Sequence, residues 1–80
     1  MYYVYFIRSV SLPEKVYVGY TLDIEQRLAT HNAGGSIYTA QYKPWQLIAL
    51  FGFQEQSKAQ AFELYLKSQS GRAFTKKRIV

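Results

Sequence analysis

Two residue periods alternate along the chain. In YYVYFIR, residues 2–8, Tyr3, Tyr5 and Ile7 share one face of a strand and Tyr2, Val4 and Phe6 the other. Both faces are apolar, so this strand is expected to be covered on both sides. SVSLPE, residues 9–14, is rich in turn formers. KVYVGYT, residues 15–21, reads as a second strand, most simply the hairpin partner of the first. Asp23 then has the character of an N-cap, with Gln26 three residues later as its capping-box partner. The helix it opens runs to about Asn32 and ends at Gly34-Gly35. Residues 33–44 form a polar loop closed by Pro44. WQLIALFGF, residues 45–53, is a third strand, with Trp45, Leu47, Ala49 and Phe51 on one face and Ile48 and Leu50 on the other. Ser57 and Gln60 repeat the capping pattern and open a second helix that reaches about Ser68. The remainder is a basic tail with one apolar anchor, Phe74, and room for a short terminal helix. The predicted order is β-β-α-β-α. It describes an α+β domain with a small three-stranded, mainly antiparallel sheet flanked by helices.

Length fits one domain spanning residues 1–80. There is no cysteine, which excludes disulfides and thiolate metal sites and fits a reducing cytoplasm. The start, MYYVYFIRSV, lacks the basic leader and cleavage site of a signal peptide, and no apolar run reaches membrane-spanning length. The formal charge is +5. From Lys58 onward the chain carries Lys58, Lys67, Arg72, Lys76, Lys77 and Arg78 against a single acid, Glu63. A polyanion such as nucleic acid is the simplest partner for such a surface. A solvated basic tail explains the charge equally well.

Helical and strand spacing bring out a few candidates for chemistry. Ile24 and Leu28 mark the buried stripe of the first helix, and Arg27 and His31 lie together at its edge. An arginine snorkelling over the core and a hydrogen-bonded histidine at a helix end are the ordinary explanation. On the second helix Ala59, Phe62 and Leu66 mark the buried stripe, and Glu63 points the same way. A carboxylate facing a core is unfavourable unless it is paired or binds a metal. A salt bridge to Arg27 would satisfy it. Gly19 shares a strand face with Tyr17 and leaves a hollow beside its ring, a mark of close approach by a ligand or another backbone. No serine or cysteine nucleophile stands with a base, no Walker-type glycine loop is present, and no Cys/His spacing suits zinc.

These residues, in this order, resemble the GIY-YIG nuclease superfamily, particularly its small free-standing bacterial members. The first motif is Tyr3-Val4-Tyr5 and the second Tyr17-Val18-Gly19. The family arginine falls on Arg27, a histidine one turn later on His31, and the metal-binding glutamate on Glu63. HNAGG, YKPW and ELYLKSQSGRAF also look like the small bacterial members, so the resemblance covers essentially the whole chain. The chain departs from the pattern in having Tyr3 for the leading glycine, Tyr20 where some relatives carry lysine, and no asparagine after Asn32.

The resemblance implies a DNA endonuclease that hydrolyses phosphodiester bonds with Mg²⁺ or Mn²⁺ held at Glu63. Branched or damaged DNA in repair or recombination is the substrate class implied by analogy, beside the nucleoid in a bacterial cytoplasm. Tyr5 and Tyr17 are the candidate bases, with His31 to accept or relay the proton and Arg27 to stabilise charge at phosphorus. Gly19, Tyr20, Lys43, Lys67, Arg72, Lys76 and Lys77 form the expected DNA-approach surface. The alternative is a non-catalytic nucleic-acid-binding module on the same fold. There the basic tail, Lys43, Tyr38 and Tyr42 would hold phosphates and stack on bases. A protein-interaction adaptor would explain the tyrosines but not the carboxylate.

Overall fold

In the computed structural model, which describes residues 1–80, the segment apolar on both faces becomes the middle strand. β1 (Tyr2–Ser9) lies between β2 (Val16–Thr21) and β3 (Trp45–Phe53), antiparallel to both, in the order β2-β1-β3. The helices are α1 (Ile24–Asn32), α2 (Ile37–Ala40), α3 (Gln56–Leu66) and α4 (Gln69–Arg78). The α+β architecture is the expected one, with two refinements. A four-residue helix, α2, interrupts the loop at 33–44, and the basic tail is a full ten-residue helix, α4. No helix is long and apolar enough to cross a membrane.

Val4 and Phe6 pack against Ala59 and Leu66 of α3, with Phe74 and Ile79 at the margin. Tyr5 and Ile7 face the other way, onto Trp45, Ile24 and Leu28. All four β1 side chains are essentially inaccessible, and burying each large apolar side chain contributes about 1.5–3 kcal/mol. The sheet therefore has α1 on one face and α3 with α4 on the other.

One expected strand face is corrected. Phe6 pairs with Ala49 but Ile7 pairs with Leu47, so β3 carries a bulge around Ile48. A bulge inserts one residue and resets the alternation. Trp45 and Leu47 join the α1 side, whereas Ala49 and Phe51 join the α3 side with Ile48.

The capping signals are half right. Asp23 Oδ1 accepts the Gln26 N–H at 3.1 Å, but the Asp23 N–H donates to Thr21 Oγ1 at 3.1 Å rather than to the Gln26 side chain. Past the end of α1, Gly34 adopts φ of 84°, where glycine is favoured. The expected cap at Ser57 is corrected: α3 begins at Gln56 behind an extended Glu55, and Ser57 sits inside its first turn. At α4, Ser68 Oγ accepts the Gly71 N–H at 3.2 Å. Lys76, Lys77 and Arg78 fill the last turn, where the helix dipole favours cations.

Candidate active site

The strand period points the Tyr5 side chain at α1, and the helical period puts Arg27 and His31 one turn apart opposite it. The three meet at one atom. His31 Nε2 lies 2.8 Å from the Tyr5 hydroxyl, and Arg27 Nε donates to the same oxygen at 3.4 Å. Tyr5 and His31 are buried at 1% and 0% exposure, whereas Arg27 is exposed. The guanidinium thus stands between the hydroxyl and solvent. Tyr17 completes the cluster, its ring 5.3 Å from that of His31 and 6.4 Å from that of Tyr5.

Residues with no obvious signature hold this cluster in place. His31 Nδ1 lies 2.7 Å from Thr39 Oγ1, and that hydroxyl reaches the Ser36 carbonyl at 3.5 Å. Thr39 can therefore donate to Ser36 and accept from an Nδ1–H, which leaves Nε2 bare to accept from Tyr5. Trp45 Nε1 donates to the Thr39 carbonyl at 2.8 Å and pins α2. Asn32 ties the end of α1 to the start of β3: its Oδ1 accepts the Trp45 N–H at 2.5 Å and its Nδ2 donates to the Trp45 carbonyl at 3.2 Å. Thr39 lies in a helix too short to show a period. Its sequence signal is only a threonine set among the apolar residues Ile37, Tyr38 and Ala40.

Burial governs the electrostatics. It pushes the Tyr5 phenol above its ordinary value, a rise that the hydrogen bond and charge of Arg27 only partly offset and that the nearby Tyr17 and Glu63 reinforce. Burial also lowers His31, helped by the charge of Arg27. At neutral pH the pair is therefore a protonated phenol donating to a neutral imidazole. Between the lowered value of His31 in the fold and its ordinary 6.5, the unfolded chain binds more protons, so stability rises with pH. That stability is complete above pH 6.5 and is lost as pH falls toward the folded-state value. The thermal midpoint, followed by circular dichroism, is expected to drop between about pH 7.5 and about pH 5. The drop should be smaller in His31→Gln, which has no imidazole to charge.

Glu63 is 23% exposed on α3, and its Oε2 pairs with Lys67 Nζ at 3.1 Å. The expected salt bridge to Arg27 is thus corrected: one turn of helix brings Lys67 to the carboxylate, and Arg27 goes to Tyr5 instead. Glu63 lies in a shallow recess with Gln60, Leu64 and Lys67. No cluster of three or more His, Cys, Asp or Glu surrounds it. One accessible carboxylate with open space beside it suits a hard cation that keeps most of its waters, and does not suit a fully protein-ligated metal.

A groove of about 780 Å³ runs along the free edge of β2 and is lined by Val16, Tyr17 and Val18. Lys67, Arg72 and Lys76 line it too, so three of the cations expected on the approach surface fall together. Tyr38 stands over Tyr17 with ring centres 6.1 Å apart. Lys43 is exposed near Gly34, and Lys77, on α4, is exposed outside the groove.

Two expected positions on that surface are corrected. Tyr20 pairs with Val4 and stacks on Tyr2 at 6.4 Å, so strand alternation turns it to the face opposite Tyr5 and Tyr17. The hollow at Gly19 is filled from within: a Cβ there would run into the Tyr5 hydroxyl and ring. Gly19 is buried and makes room for Tyr5, so it offers a ligand no open surface.

A family model described as the GIY-YIG catalytic domain matches residues 1–78. A UPF0213 protein of Lactococcus lactis subsp. cremoris is 42% identical over 55 residues, 68% of this chain and 56% of the relative, so the alignment spans little more than half the relative's length. The structure-specific endonuclease subunit SLX1 of Malassezia globosa is 36% identical over 67 residues, 79% of this chain but 15% of that protein. The solution NMR structure of a UPF0213 protein from Bacillus halodurans superposes with a TM-score of 0.56 at 28% identity, over 96% of this chain and 84% of the other. Sequence model, relatives and fold agree: the chain belongs to the GIY-YIG catalytic-domain family.

Proposed function

We propose that this chain is a divalent-cation-dependent endonuclease that hydrolyses phosphodiester bonds in DNA, with branched or damaged DNA in repair or recombination as its substrate. One observation carries the reading. A tyrosine hydroxyl is held between an arginine and a neutral histidine, in a domain of nuclease ancestry. The similarity to a protein named as a structure-specific endonuclease subunit supports the substrate class. The groove with Lys67, Arg72 and Lys76 supports a phosphate backbone running along β2.

Glu63 would hold Mg²⁺ or Mn²⁺. When bound, such an ion polarises a phosphoryl oxygen and offsets the charge that builds up at phosphorus. The chain's own residues do the rest. The exposed Arg27 turns from Tyr5 to a non-bridging phosphate oxygen and stabilises the charge developing there. That opens a lone pair of the Tyr5 oxygen to the attacking water. The water gives a proton to this oxygen as the phenolic proton passes over 2.8 Å to His31 Nε2. The net transfer runs from water to imidazole, so Tyr5 need not be ionised in the resting site. Thr39 keeps Nε2 as the receiving nitrogen. The leaving oxygen is protonated from solvent, and His31 returns its proton there. Tyr17, on the groove wall, flanks the strand with its ring.

Purified protein incubated with branched, single-stranded and duplex DNA plus Mg²⁺ or Mn²⁺ tests the proposal. Wild type is expected to cleave, with branched DNA preferred. Arg27→Ala is expected to lose about 10²–10³ in rate while remaining folded. Salt-sensitive binding without cleavage by any protein would replace the proposal with a non-catalytic binding module.

A further inference from the structure

Lys67 is the residue shared by the groove along β2 and the recess around Glu63. Its Nζ stands 3.1 Å from Glu63 Oε2 and 5.9 Å from the centre of the Tyr17 ring. The ammonium therefore sits beside the carboxylate where a cation would bind, and faces the groove where a backbone phosphate would lie. Its side chain is 50% exposed and projects from the C-cap of α3. A flexible four-carbon stem lets it turn from one partner to the other without backbone movement.

Two competitions meet at this side chain. A divalent cation and the ammonium compete for one carboxylate, and phosphate and the carboxylate compete for one ammonium. We propose that Lys67 is a gate that couples DNA binding to cation binding. With the groove empty it closes on Glu63 and weakens uptake of the cation. A phosphate seated beside Arg72 and Lys76 draws it off and frees the carboxylate. The coupling is reciprocal, so the cation also tightens DNA binding. This inference rests on the proposed reading of Glu63 as the cation ligand.

The test is a Mn²⁺ titration of the full chain, with free ion followed by electron paramagnetic resonance. Wild type, Lys67→Met and Glu63→Gln are each measured with and without a short DNA duplex, and Glu63→Gln with DNA supplies the ion uptake of the DNA itself. Without DNA, Lys67→Met is expected to bind Mn²⁺ about two- to fivefold tighter than wild type, the range set by a half-exposed ion pair. DNA should tighten Mn²⁺ binding by wild type more than by Lys67→Met, the excess being a similar factor, because the variant keeps only the direct pull of the phosphates on the ion. Equal Mn²⁺ affinity in wild type and Lys67→Met, with binding abolished in Glu63→Gln, would overturn the gate and leave the reading of Glu63 standing. Undiminished binding in Glu63→Gln would overturn that reading, and the gate with it.

Discussion

Replacing Tyr5 with phenylalanine is expected to slow single-turnover DNA cleavage by about 10²–10⁴, the range that positioned proton transfer supplies. The substitution is conservative in shape. The ring still fills the space above Gly19 and still packs with Ile7 and Trp45. What disappears is the hydroxyl on which His31 and Arg27 converge. His31 Nε2, in a fully buried residue, then has no partner, so stability should fall by about 1–3 kcal/mol with the fold retained. Tyr17→Phe is the informative companion. Tyr17 lines the groove and meets its neighbours through its ring, so the same change there is expected to slow cleavage less than about tenfold. The opposite ranking would move the proton acceptor from Tyr5 to Tyr17.

The second large effect is expected at Glu63. Glu63→Ala removes the carboxylate proposed to hold the cation and should lower cleavage by at least about 10²–10³, since a bound ion supplies several kcal/mol of charge stabilisation. Stability should barely change, within about 0.5 kcal/mol, because the partner left behind, Lys67, is itself half exposed. A large loss of activity with an unaltered thermal midpoint separates chemistry from structure. Raising the Mg²⁺ or Mn²⁺ concentration should not restore the variant.

The parts of this site that could be read from sequence are those placed by a regular period. Tyr5 shares a face with Ile7 and Tyr17 with Gly19 because strands alternate, and Arg27 and His31 share an edge because helices repeat near every fourth residue. Their meeting at one hydroxyl needed the fold, since it depends on where α1 crosses β1. Thr39 and Asn32 were illegible because their roles are single hydrogen bonds across loops. A count of two places Phe51 with Trp45 and Leu47, whereas the bulge, invisible to that count, turns it to the opposite face. Gly19 shows the same limit. A hollow could be inferred beside Tyr17, but what fills it comes from a neighbouring strand. Charge was legible only in aggregate: Lys67 at the end of α3 and Arg72 and Lys76, one turn apart on one face of α4, converge at one edge of the sheet, whereas Lys77 is left outside the groove.

The most direct test sets purified wild type beside Glu63→Ala on branched DNA, with Mg²⁺ present or chelated. The predicted result is cleavage by wild type that stops on chelation and is lost in the folded variant. Equal cleavage by wild type and Glu63→Ala would contradict the account, since the activity would then come from something other than this site.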